Sequence, residues 1–192
     1  APENEAKVLA GLDAMYALDL EAATTYFQAV DASEPRDPAG PLFLAGLYWI
    51  QYAQAFDVTS AGSPLELKFL AHTEEAIKRG EALLKSNPND AQALMWLGAA
   101  WGYRGRWKVL ERSWVGAARL GLKGYRYLQR AVKADPGLYD DYLGLGIYEY
   151  YADTMPSVIR LLKALVVRGN KKQGLAYIQT TLEKGKFSKI EA

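Results

Sequence analysis

Proline sets the rhythm of this chain. Pro35, Pro88 and Pro136 follow Glu, Asn and Asp respectively, and each closes a stretch that reads as helix. Proline cannot continue an α-helical ladder and pushes the residue before it out of helical geometry. Ahead of Pro88 stand Ala76 and Leu83, and ahead of Pro136 stand Gly124, Leu128 and Ala131. At matching distances beyond the same two prolines come Leu97, Gly98 and Trp101, and then Leu145, Gly146 and Tyr148. A small-and-large pattern returning on both sides of a helix stop marks repeated helix pairs. Each pair buries its apolar face on the next, so such a chain folds as stacked helices rather than around one active site.

Periodicity extends the helical reading over almost the whole chain, as nine or ten helices with no convincing strand. The first runs from Glu3 to Leu18, and Asp19 is placed to cap a second carrying Ala23, Phe27 and Val30. Asp37-Pro38 signals a start, followed by helix from Leu42 to Phe56 and a loop over residues 57–63. Ser63-Pro64-Leu65-Glu66 is a capping box that opens a long helix to about Lys85. Ala91–Tyr103 is read as a helix stopped by Gly105, and Trp107–Leu120 as a separate added helix. Gly121 and Gly124 then break the chain before Tyr125–Ala134, with further helices at Leu138–Ala152, Ser157–Val167 and Lys171–Lys184. Gly11, Ala45, Gly98 and Gly146 are assigned to close approaches on the first helices of the pairs, answered by Ala23, Ala76 and Gly124 on the second. Ser188-Lys189-Ile190-Glu191 is another capping box one residue before the last, as expected of a truncated chain or a disordered tail.

The length fits a single helical-repeat domain over 1–192, and an apolar share of 50% supplies a continuous core. There is no cysteine, which removes disulfides, thiolate catalysis and Cys-based metal sites. No stretch reaches the roughly eighteen apolar residues of a membrane span. The chain begins at Ala1 without Met, as expected after removal of a signal peptide or after trimming of a longer chain. The formal net charge of +1 hides segregation: residues 1–75 carry −9, residues 104–133 carry +8, residues 134–156 carry −5 and residues 157–192 carry +6. Such blocks either pair neighbouring layers or offer charged regions to partners.

Each candidate for chemistry has a structural counterpart. His72, the single histidine, lies on an apolar stripe, where a packed histidine is the ordinary reading. Asp140, Asp141, Glu149 and Asp153 cluster by sequence, and Glu149 and Asp153 share a helical face. They suit acid–base work or a hard cation, or a solvated face with a helix-start aspartate. Arg104, Arg106, Lys108, Arg112, Arg119, Lys123, Arg126, Arg130 and Lys133 interleave with aromatics, as nucleic-acid or anionic-lipid surfaces do. No nucleic-acid module accompanies them, so nucleic acid is not expected and peripheral membrane contact is kept as a possibility. Ser157–Arg168 reads as an interfacial helix or as packed solenoid. Gly144-x-Gly146 follows no strand and is no phosphate loop.

The run Asp140-Asp141-Tyr142-Leu143-Gly144-Leu145-Gly146-Ile147-Tyr148-Glu149-Tyr150-Tyr151, then Met155-Pro156 and Gln173-Gly174-Leu175, resembles a group of exported bacterial tetratricopeptide-repeat proteins. The resemblance is specific over residues 125–192 and generic before. The proline spacings of 53 and 48 exceed the repeat of about 34, and Arg168-Gly169-Asn170-Lys171 departs from the group's turn. The resemblance implies an all-α solenoid of antiparallel helix pairs with inserted helices, a periplasmic or exported location, and no catalytic residues. On such a scaffold the first helices line a concave groove, here projected as Met15, Tyr16, Met95, Tyr103, Asp140, Leu143, Tyr150 and Tyr151. The expected role is a non-enzymatic scaffold for a protein or peptide, with no cofactor and no metal. A small-ligand or glycan receptor using the same aromatics, and an enzyme using the Asp140–Asp153 carboxylates, remain as alternatives.

Overall fold

Eight helices and no strand occur among the residues described by the computed structural model, 2–54, 62–154 and 169–192. In chain order they are α1 (Pro2–Tyr16), α2 (Leu20–Ser33), α3 (Ala39–Gln54), α4 (Pro64–Ser86), α5 (Ala91–Leu110), α6 (Trp114–Ala134), α7 (Asp141–Thr154) and α8 (Lys171–Lys184). The helix expected over Ser157–Val167 and most of the loop expected over 57–63 lie outside the described residues. The chain divides into two compact units, Ala1–Ala82 and Leu83–Ala192.

In the first unit each helix runs antiparallel to the one before it. Ser33 at the end of α2 donates to Asn4 at the start of α1 over 2.8 Å, and the Phe27 ring covers Gly11. Phe27 also stacks on Phe43 at 5.4 Å, joining α2 to α3. Trp49 meets Phe69, and Tyr48 meets His72, which joins α3 to α4. Arg79 on α4 reaches back to α2, donating to Asp31 at 2.5 Å and to the Asp37 carbonyl at 3.1 Å. Phe27, Leu47 and Phe69 are fully enclosed. The expected caps are present: Asp19 accepts from the Ala22 amide, and Ser63 from the Glu66 amide. The Glu66 carboxylate reaches back to the Gly62 amide, one residue earlier than a capping box requires.

The second unit is built on glycine. A Cβ on Gly124 of α6 would lie 2.8 Å from the Gly98 carbonyl oxygen and 3.0 Å from the Gly102 nitrogen of α5. A Cβ on Gly105 would lie 3.2 Å from the Gly121 nitrogen. Glycines 98 and 105 rise along α5 as 124 and 121 fall along α6, so the two helices are antiparallel with backbones in contact. This corrects the sequence reading. Trp107–Leu120 is not a separate helix: α5 continues through Gly105 to Leu110, and α6 runs unbroken through Gly121 and Gly124. Isolated glycine weakens a helix by about 1 kcal/mol, but here the glycines lie in a packed seam whose close contact outweighs that preference. The break falls instead at Glu111–Ser113, where Arg112 takes a left-handed φ of 57°. Ser113 donates to the Lys108 carbonyl and Arg112 to that of Val109, both at 2.9 Å, which is the Schellman closure.

Helices α7 and α8 repeat the device. A Cβ on Gly146 or on Gly174 would come within 2.7 Å of the other residue's carbonyl oxygen. Tyr125 stacks on Tyr148 at 4.3 Å between α6 and α7, above a core of Leu122, Leu128 and Leu145. Helix α7 also touches α5, two elements back. The Ser188–Glu191 box opens one turn, with Ala192 donating to the Ser188 carbonyl at 3.2 Å.

Two substitutions on facing helices should move stability in opposite directions. Around Gly102 a Cβ meets nothing within 4 Å, so Gly102→Ala should gain about 1 kcal/mol from helix propensity. Gly124→Ala has the same propensity gain but meets backbone that cannot give way, and should lose roughly 1–3 kcal/mol. Urea midpoints read both; a stabilising Gly124→Ala would mean that the seam is not close-packed.

Candidate functional site

Helix α5 is apolar on almost every side, and Ala93 through Gly98 are all buried. Trp96 and Tyr103, seven residues apart, fall on one stripe of it. The turn that leads into α7 sets Asp140 just ahead of that helix. Its Oδ1 accepts three successive backbone N–H groups, from Lys186 at 3.0 Å and from Phe187 and Ser188 at 2.8 Å each. The Phe187 ring lies 6.0 Å from Trp96. Further along, burial pushes the Tyr103 hydroxyl's proton affinity up, and the Glu191 carboxylate adds to it. The Thr181 hydroxyl donates to the Tyr139 carbonyl at 2.9 Å and Lys184 lies over the Tyr139 ring, which fixes where the segment leaves α8. Residues 186–188 thus lie against Asp140 and Trp96 as a bound peptide segment would. A carboxylate gathering three amides recognises main chain, and the indole beside it receives an aromatic side chain.

The projected groove residues divide. Asp140 and Tyr103 belong to this face. Tyr150 and Tyr151 pair edge to face at 5.8 Å, with Lys171 over the Tyr150 ring, and Tyr151 is 60% exposed. Met95 and Leu143 are buried in the second unit and offer no surface. Met15 is buried too, because it continues the Val8–Leu12 stripe that α1 packs inward. Tyr16 is half-buried and, like Met15, belongs to the first unit. For α5 the periodicity could not choose between Met95 and Trp96, since a helix buried on most sides has no single apolar face. Trp96 and Phe187 were missed. The seven-residue step from Trp96 to Tyr103 was the available signal for the first, and the Ser188 capping box for the second.

The acidic cluster serves mainly to tie down backbone at the ends of helices. Buried Glu149 accepts the Tyr125 hydroxyl at 2.5 Å on one oxygen and the Asn170 amide at 2.8 Å on the other. Asp153 accepts the Lys171 amide at 3.0 Å. The shared face of Glu149 and Asp153 is therefore the anchorage of α8, with Glu149 buried and Asp153 at the surface as a solvated face would have it. Asp141 is different. It is 2% exposed, and neither carboxyl oxygen has a hydrogen-bond partner among the described residues. The helix start would favour its charged form, but burial wins, and with Asp140 and Asp135 nearby its pKa rises to about 8. Among the described residues no group of three His, Asp or Glu side chains is placed to hold a metal ion. His72 stacks on Tyr48, and burial lowers its pKa, so it is neutral at neutral pH.

The basic stretch is partly committed to packing. Lys123 lies 3.5 Å from the centre of the Trp101 ring, and Arg130 donates to the Pro88 carbonyl at 2.7 Å. Arg112 and Arg119 are exposed at the α5–α6 turn and the first part of α6. No described helix is long and apolar enough to cross a membrane. No protein-family model, no curated protein and no solved structure matches this chain.

Asp141 gives the fold a pH signature. Between its ordinary value of 3.8 and about 8 the folded chain keeps a proton that the unfolded chain releases. Stability therefore falls as pH rises through that window. Asp141→Asn should flatten the slope and be more stable than the parent above pH 8 by at least about 2 kcal/mol. Thermal melts at several pH values read the difference. Parallel curves for the two proteins would show that Asp141 does not titrate this way.

Proposed function

We propose that this chain is a tetratricopeptide-like α-solenoid that holds an extended protein or peptide segment against the inner face of its first-of-pair helices. The antiparallel run of neighbouring helices, the glycine seams and the contact between α5 and α7 support the solenoid reading. The resemblance over residues 125–192 supports placement in the bacterial envelope after export. Binding is non-catalytic in this reading. The observation that carries it is the seat of residues 186–188: three amides on the Asp140 carboxylate and the Phe187 ring beside Trp96. The chain supplies its own ligand there. A partner using the same seat would be an extended segment with an aromatic residue, favoured by neighbouring lysines that complement the −5 charge of residues 134–156.

The test uses a fluorescent peptide with the sequence of residues 184–191. The chain carrying Phe187→Ala, which weakens its own segment, should bind the peptide more tightly than the parent. Adding Asp140→Ala should reduce that binding about tenfold or more, as expected for charge-assisted bonds. Fluorescence anisotropy reads both steps, and circular dichroism confirms that the helices persist. Equal binding with and without the Asp140 carboxylate would dismiss the seat.

A further inference from the structure

The turn between α5 and α6 displays what soluble helical hairpins hide. Val109 and Leu110 are each 44% exposed, Trp114 is 51% and Val115 is 52%. These four large apolar side chains lie within seven residues of sequence, on either side of the Schellman closure at Arg112. That closure commonly carries an apolar contact folded back on the helix; here these side chains stand largely in the open. Cations surround them. Arg104, Arg106, Lys108, Arg112 and Arg119 flank the turn, against the single acid Glu111, which is already paired with Lys108.

We infer that the α5–α6 turn is a docking tip for an anionic lipid surface, with Val109, Leu110, Trp114 and Val115 entering the headgroup boundary and the arginines meeting lipid phosphates. Shape and charge together favour lipid over protein. The apolar groups sit on the outside of a tight helix–helix turn, a convex feature that enters a soft interface but encloses no partner side chain. Tryptophan prefers the membrane interface, where its ring is half apolar and its N–H is wet. The cations complement phosphate, and Ser113 makes no side-chain capping bond, which leaves the first amides of α6 without a side-chain cap. Neither signal is sufficient alone: a few apolar side chains, or a few cations, give only weak adhesion, and stable attachment takes both. Attachment should therefore require anionic lipid and weaken with salt.

Vesicle flotation of the full chain tests this with phosphatidylcholine vesicles and with vesicles containing added phosphatidylglycerol. The parent should float with the anionic vesicles at least tenfold more than with the neutral ones, and lose that binding in high salt. Leu110→Ser combined with Trp114→Ser should lose most of it, and so should Arg112→Ser combined with Arg119→Ser. Both variants should keep the parent's circular dichroism and its binding of the 184–191 peptide, which separates this inference from the peptide seat. Parent and variants floating equally, or no flotation on anionic vesicles, would overturn it. Self-association in sedimentation velocity that the Leu110/Trp114 variant abolishes, without vesicle binding, would assign the tip to a second copy of the chain and overturn it as well.

Discussion

Backbone against backbone is the contact on which the second unit depends. At Gly98 and Gly124, and again at Gly146 and Gly174, the carbonyl oxygen of one helix occupies the place where the other would carry a Cβ. Helices this close hold a fixed register, because at these points peptide group meets peptide group. Leu128 can then lie over both Gly98 and Gly144, linking α5, α6 and α7 through one residue. In the first unit a ring does part of the same work, since Phe27 fills the space over Gly11 and stacks on Phe43. The difference is physical: a ring tolerates small adjustments, while a peptide group does not.

Carboxylates do the second job, which is to hold the ends of rods. Asp140, Glu149 and Asp153 each accept backbone N–H groups from residues far along the chain. Amides at helix starts and turns have no intrahelical partner and need an acceptor. An ionised carboxylate is a strong one. Asp141 stands apart as a buried carboxyl without such partners, and burial raises its pKa to about 8. The same acidic run that suggests chemistry in the sequence thus becomes mostly architecture, with one member left as an electrostatic liability.

The two surfaces singled out in the second unit have different physics. The seat beside Asp140 is concave in chemistry, with acceptor and indole converging on one short segment. The α5–α6 turn is the reverse, with apolar groups and cations diverging outward. A scaffold with both would hold a segment by directional bonds at one place and adhere to a charged interface by area and charge at another.

The sequence by itself determined the all-α class, the helix-start signals at Asp19 and Ser63, and the assignment of Gly98 and Gly124 to close approaches between helices. These are local: caps depend on a few neighbouring residues, and a small residue at a repeated spacing already implies a close neighbour. Only the tertiary structure decided whether a glycine breaks a helix or packs it, since Gly105 and Gly121 look like stops until each is seen facing the other. It also decided which aromatic of α5 serves the seat, because a helix apolar on most sides carries no record of direction. Asp140 appeared as one acid among several until residues 186–188 closed around it, through contacts that span more than forty positions of chain. Periodicity records which residues are buried; only three-dimensional packing records what they are buried against.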